Sequence, residues 1–152
     1  MTLRAFEDFT EGLEIALGPY EVTKQAVIEF AAEFDPQPFH LDEEAAKASM
    51  LGGLSASGWH TCAMMMRMMA DAYVLDSTSQ GGPGVDFVRW RRPVRPGDIL
   101  SGTARVLSTR ISAKRPTIGL ARISTELRNG SAETVLESEH TLFLLTREAA
   151  AA

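Results

Sequence analysis

The chain has 152 residues, 45% of them hydrophobic and 23% charged, the ordinary mix of a globular domain long enough to bury a core. Its formal charge of −5 lacks the basic excess of a nucleic-acid binder, so no nucleic-acid partner is expected. Cys62 is the only cysteine and the three histidines (His40, His60, His140) are widely spaced, which excludes an internal disulfide and leaves no metal signature; no cofactor is expected.

The opening stretch, "MTLRAFEDFTEG", has no apolar core of the kind a secretory signal carries, and no segment is a comfortable membrane span, so a cytoplasmic setting without a membrane partner is expected. Thr23 is a good N-cap, and Val27, Ile28, Phe30, Ala31 and Phe34 follow at helical spacing to about Phe34. The helix then meets Asp35-Pro36-Gln37-Pro38-Phe39-His40. Each proline pushes the residue before it out of the helical region, which predicts a helix end at Asp35 and an extended, stiff connection to His40. Asp42 can cap a short second helix over "EEAAKAS", and "LGGLSAS" is a flexible approach to a long helix from near Gly58 to near Tyr73.

That long helix, "GWHTCAMMMRMMADAY", is apolar on almost every side, which predicts a helix enclosed by other elements. Its methionines suit core filling, and the same residues can wall a tunnel for an acyl chain. Beyond it, "GVDFVRWRRPV", "ILSGTARVLSTRIS", "PTIGLARISTELRN" and "AETVLESEHTLFLLT" read as strands, with "RPGD" as a turn and Asn129-Gly130 placed for a two-residue type I′ hairpin. Helices first and antiparallel strands after them give an α+β domain, a sheet wrapped on one central helix. The domain is expected over residues 1–147, with 148–152 a frayed tail.

An acid and a base held at a set separation suit proton transfer, and Asp35 and His40 stand in a proline frame that could hold them so. The residues alone leave a second reading open, in which Asp35 closes a turn and His40 caps the helix beginning at Asp42. His60, in the first turn of the long helix, reads as a packed histidine. The cluster Arg89, Arg91, Arg92 and Arg95 reads as a solvated strand face and turn, with a grip on coenzyme A phosphates as its functional alternative.

The segment Asp35 to His40, the "ASGWHT" that opens the long helix and the "RPVRPGD" turn together resemble the MaoC-like, or hydratase-2, group of (R)-specific enoyl-CoA hydratases on the hot-dog fold. That group's signature runs Asp, any residue, Asn, Pro, an apolar residue, His. Here Gln37 stands for the Asn, Ser57 for a frequent His, and Met66 for a serine that in some members orients the aspartate. The resemblance implies Asp35 and His40 as the catalytic pair, acting on an enoyl thioester through a bound water. It implies the Gly58 backbone N–H as oxyanion donor and Gln37, Ser57 and Trp59 as substrate contacts. It also implies an acyl-CoA substrate and a homodimer. Two other readings share the fold: a thioesterase, which would want a carboxylate on the long helix where only Asp71 at its far end is available, and an acyl-thioester-binding subunit without activity, to which Met66 lends support.

Overall fold

A computed structural model describes residues 2–152. Five antiparallel strands form one sheet in the order β1-β3-β4-β5-β2, where β1 is Glu14–Glu21, β2 Val85–Trp90, β3 Ile99–Ile111, β4 Ile118–Arg128 and β5 Thr134–Leu145. The three long strands form a central meander because each alternates. In β4, Ala121, Ile123, Thr125 and Leu127 point inward while Arg122, Ser124, Glu126 and Arg128 point out. The outward rows pair across strands, as in Arg122 with Glu139 at 2.6 Å.

The inward face receives α3 (Gly58–Met69), which lays Thr61, Met64, Met65, Met68 and Met69 on a core that includes Leu100, Val106, Ile123, Leu136 and Leu144. One π-helical stretch, Ala70–Val74, extends the helix and places Tyr73 in the core, its ring edge-on to Phe9 at 6.2 Å. The fold is thus the expected α+β hot-dog, a sheet curved on a central helix. The helix is not enclosed on all sides, however. Trp59 is 63% exposed and Met66 45%, so the face carrying Trp59, Ala63 and Met66 lies open in the single chain. One sheet can cover only one side of a helix, and the other elements pack at its start.

Those elements are α1 (Lys24–Phe34) and α2 (Glu43–Lys47). The Ala26 N–H donates to Thr23 Oγ1 at 3.2 Å and the Ala45 N–H to Asp42 Oδ2 at 2.8 Å, so both expected caps are in place. α1 buries Val27 and Ala31 and meets α3 through Phe30, whose ring stacks on His60 with centroids 4.7 Å apart.

Two local expectations need correction, and two elements lie outside what the sequence reading described. Strand β1 has no counterpart in the sequence reading, because Gly18 and Pro19 interrupt its pattern. The register with β3 shifts between Leu17 and Tyr20, and Gly18, at φ +84°, sits where a Cβ would lie 2.6 Å from the Leu100 carbonyl oxygen. The β4–β5 connection is no two-residue type I′ turn. Its ladder ends at Arg128 and Thr134, the Ala132 N–H donates to the Asn129 carbonyl at 3.0 Å, and Ala132 rather than Gly130 takes the left-handed conformation. Asn129 Oδ1 organises this longer loop by accepting from the Ser131 and Glu133 N–H groups. The chain between Gln37 and His40 is not extended throughout: Gln37 is, as Pro38 demands, but Pro38–His40 closes a single 3-10 turn. Finally, the tail forms a short helix, α4 (Arg147–Ala151), which Thr146 caps and Arg147 ties to Asp8 at 2.8 Å.

Candidate active site

The proline frame holds the acid and the base side by side. α1 ends at Asp35, whose backbone leaves the helical region at φ −150° and ψ 70°. The next turn brings His40 back over it, with His40 Nε2 3.4 Å from Asp35 Oδ2. His40 is 5% exposed, and its Nδ1 lies 2.8 Å from the Ser55 carbonyl oxygen. A carbonyl only accepts, so Nδ1 carries a proton and, in the neutral ring, Nε2 presents its lone pair toward Asp35. At 3.4 Å the two facing atoms are too far apart for a strong direct hydrogen bond. The two polar atoms nevertheless face each other at the end of α1, where both can act on one small polar group.

Asp35 is oriented from both sides. Ser57 Oγ donates to Oδ2 at 2.7 Å and Gln37 Nε2 to Oδ1 at 2.7 Å. The Ser57 bond is the main cause that holds the carboxyl below the usual carboxylate range; the Gln37 amide and the charge of His40 add to it, and burial opposes them. Ser57 is fully buried and also accepts the Trp59 N–H at 3.2 Å, so it caps α3 while bonding the aspartate.

The expected substrate contacts therefore divide. Gln37 and Ser57 turn their polar groups on Asp35, and Trp59 stands on the open face of α3. Met66 lies on that same open face, and the hydroxyl on the aspartate is that of Ser57.

His40 and Gly58 meet at one cavity of ≈ 430 Å³, walled also by Phe39, Thr61, Trp90 and Met50. Asp35, Gln37 and Ser57 lie outside this lining, and Asp35 reaches the cavity by way of His40. Gly58 is the first residue of α3, where backbone N–H groups lack helical acceptors and the helix dipole favours an anion. It is also a packing glycine: a Cβ there would lie 2.5 Å from the Trp90 ring. Trp90 is a shared wall. It meets Trp59 edge-on at 5.3 Å and lines a second cavity of ≈ 740 Å³, bounded by Met65, Met66, Met69, Val85, Phe87 and Leu142 among others. The sequence reading passed over Trp90, although an aromatic residue inside the run "VRWRRPV" at a strand end was a signal that could have found it.

His60 is packed, as its position suggests; burial pushes its imidazole below the usual range, and Nδ1 has no partner among the described residues. The arginines are not a single patch. Arg91 pairs with Glu137 at 2.8 Å and Arg92 with Glu133 at 3.1 Å, Arg89 lies over the Phe87 ring, and Arg95 turns inward. Asp71 pairs with Arg67 at 3.1 Å, remote from the helix start. No group of three or more His, Cys, Asp or Glu among the described residues is arranged to hold a metal ion. No helix among them is long and apolar enough to cross a membrane.

Comparison with known proteins places the fold in a family. A MaoC-like dehydratase from Rhodospirillum rubrum is 36% identical, covers 94% of this chain and 97% of its own, and superposes with a TM-score of 0.84. An uncharacterized protein of Bacillus subtilis (strain 168), YdeM, is 29% identical over 133 residues, 88% of this chain and 93% of its own length. The R-hydratase PhaJ1 of Pseudomonas aeruginosa, 20% identical with a TM-score of 0.76 over 95% of this chain and 88% of its own, shares the fold. Residues 12–126 match the family model of the MaoC like domain, and the chain belongs to the MaoC-like dehydratase family of hot-dog proteins.

Proposed function

We propose that this protein adds water reversibly to trans-2-enoyl-CoA, giving an (R)-3-hydroxyacyl-CoA. The observation that carries the reading is the buried His40–Asp35 pair, with His40 Nδ1 set on the Ser55 carbonyl oxygen and Asp35 aimed by Ser57 and Gln37. A water bound against the pair attacks the β-carbon as the pair takes one of its protons. A C–O bond forms, the C2=C3 electrons move toward the thioester carbonyl, and the enolate-like oxygen collects negative charge. The Gly58 N–H at the start of α3 is suited to receive that oxygen; a donor of this kind contributes roughly 2.7–4 kcal/mol where it has been removed. The proton held by the pair then goes to the α-carbon, so the elements of one water are added. Positioned acid–base groups each contribute about 10²–10⁴-fold.

The same reading assigns the apolar wall of Trp90 and its neighbours to the acyl chain. It also makes the open face of α3 the place for a second copy of the chain, in a homodimer. Thioester hydrolysis has weaker support, because Asp71 is far from Gly58 and paired with Arg67.

Isotope placement tests the choice. In ¹⁸O-labelled water the hydratase reading predicts label at C3 of a product that remains a thioester. Label in a released carboxylate would identify hydrolysis instead and overturn the reading.

A further inference from the structure

Arg95 is the one member of the arginine cluster that faces the interior. Its Nη1 donates to Ser55 Oγ at 3.2 Å and its Nη2 to the Leu51 carbonyl. No carboxylate lies within ion-pair distance of it among the described residues, so this half-buried cation is satisfied by neutral oxygens of a single loop. Its own backbone is fixed as well. The Arg95 N–H donates to Asp98 Oδ2 at 2.9 Å, the Asp98 N–H returns to the Arg95 carbonyl at 3.0 Å, and the Gly97 N–H reaches the Val22 carbonyl at 2.8 Å. The turn before β3 thus aims the guanidinium from a rigid base.

The loop it grips is the one that supplies the His40 acceptor. Leu51 to Ser55 has little regular structure of its own, and the Ala56 N–H to Val94 carbonyl bond at 2.8 Å anchors only its far end. Gly53 passes so close that a Cβ there would meet Arg95 Nη1 at 2.7 Å. The planar fork of an arginine can hold a carbonyl and a hydroxyl together, which a lysine ammonium cannot do in the same geometry. Ser55 Oγ, accepting from Arg95, donates onward to the Gly53 carbonyl at 3.1 Å, and the Ser55 carbonyl accepts from His40 Nδ1 at 2.8 Å. Arg95 itself is absent from the lining of the ≈ 430 Å³ cavity, whereas Leu51, Ser55 and Val94 belong to it. It stands behind the wall and holds the loop that forms part of it.

We infer that Arg95 is a positioning residue: by clamping Leu51 and Ser55 it holds the carbonyl that keeps the His40 proton on Nδ1 and so leaves Nε2 free to act as the base. The inference rests on the reading of His40 as half of the reacting pair, but its main readout does not. Long-range ¹H–¹⁵N correlation spectra report which ring nitrogen carries the proton for each of the three histidines, and His40→Gln assigns the His40 signals. In the wild-type protein neutral His40 is expected as the Nδ1–H tautomer. In Arg95→Met the loop is released and Nε2–H appears; on an enoyl-CoA that the wild type hydrates, kcat falls by roughly 10²-fold, the loss that follows a misplacement of about 1 Å.

A residue that merely supported the fold would lower thermal stability and leave the tautomer alone. An unchanged Nδ1–H signal in folded Arg95→Met therefore overturns the inference, as does Nε2–H in the wild type. Should Arg95→Met not fold, Arg95→Lys carries the same test: it keeps the charge, can hold one acceptor of the two, and is expected to show a mixed tautomer. A tautomer that moves in a protein with no hydration of any enoyl-CoA would sink the hydratase reading and leave the positioning role standing.

Discussion

Replacing Ser57 by alanine removes one hydroxyl from a fully buried position, and the structure says what that hydroxyl does. It donates to an ionised carboxylate at 2.7 Å and accepts the Trp59 N–H at the start of α3. A hydrogen bond to a charged group contributes about 1.5–3 kcal/mol, and an N-cap about 1 kcal/mol. The two share one atom and do not simply add, so a loss of about 2 kcal/mol at neutral pH is expected. For a chain of this size that corresponds to a fall in Tm of about 4–8 °C. The pH dependence gives the sharper test. The Ser57 bond is the first cause of the lowered Asp35 pKa, so the folded value lies below the unfolded one. Stabilisation from ionised Asp35 is then fully present above the ordinary aspartate value near ~4 and is lost as pH falls through the folded value. In Ser57→Ala the folded value moves back up, so the gap in Tm between the two proteins is widest at neutral pH and narrows below about pH 4. Calorimetric scans across that range measure it. A gap that is the same at every pH, or no gap at all, would refute the claim that Ser57 acts on the carboxylate.

Gly58→Ala should lose about 1–3 kcal/mol by overpacking against Trp90, although alanine is the better helix former; Gly58→Ala with Trp90→Leu should recover part of it, and chemical denaturation of the four proteins measures the coupling. Tyr73→Phe removes a buried hydroxyl that has no partner among the described residues, so stability should hold or rise by about 1 kcal/mol, with enoyl-CoA hydration unchanged. Thr23→Ala should lower stability by about 1 kcal/mol through the lost cap of α1 and leave the activity within about twofold; a larger loss of activity would mean that the α1 start, not only its end at Asp35, sets the site.

The sequence made the fold readable wherever period and punctuation agreed. Thr23 and Asp42 cap the helices they were expected to cap, and the alternation of β4 predicts its inward face residue by residue. Reading failed where a local pattern was broken for a tertiary reason. Gly18 and Pro19 hide β1 because the bulge they make is visible only against β3. The apolar circumference of α3 was read as full enclosure, but side-chain character does not say whether a sheet or a second chain covers each side. In the candidate site, Asp35 and His40 stood out because two prolines lie between them and the stretch resembles a family motif. Ser55 and Arg95 did not, since a backbone carbonyl leaves no mark in the sequence and Arg95 looked like one more member of a basic cluster. Ser57 was expected, from the resemblance, as a substrate contact, and its bond to Asp35 could not be read from the sequence.

Whether Asp35 and His40 add water to an enoyl thioester is read from the enoyl-thioester absorbance of crotonyl-CoA and longer trans-2-enoyl-CoAs, followed beside a free-thiol assay. Loss of absorbance without thiol release is expected, with a rate at least ~10²-fold lower in folded Asp35→Asn and His40→Ala. Thiol release by the wild-type protein, or hydration that survives both substitutions, would contradict that reading.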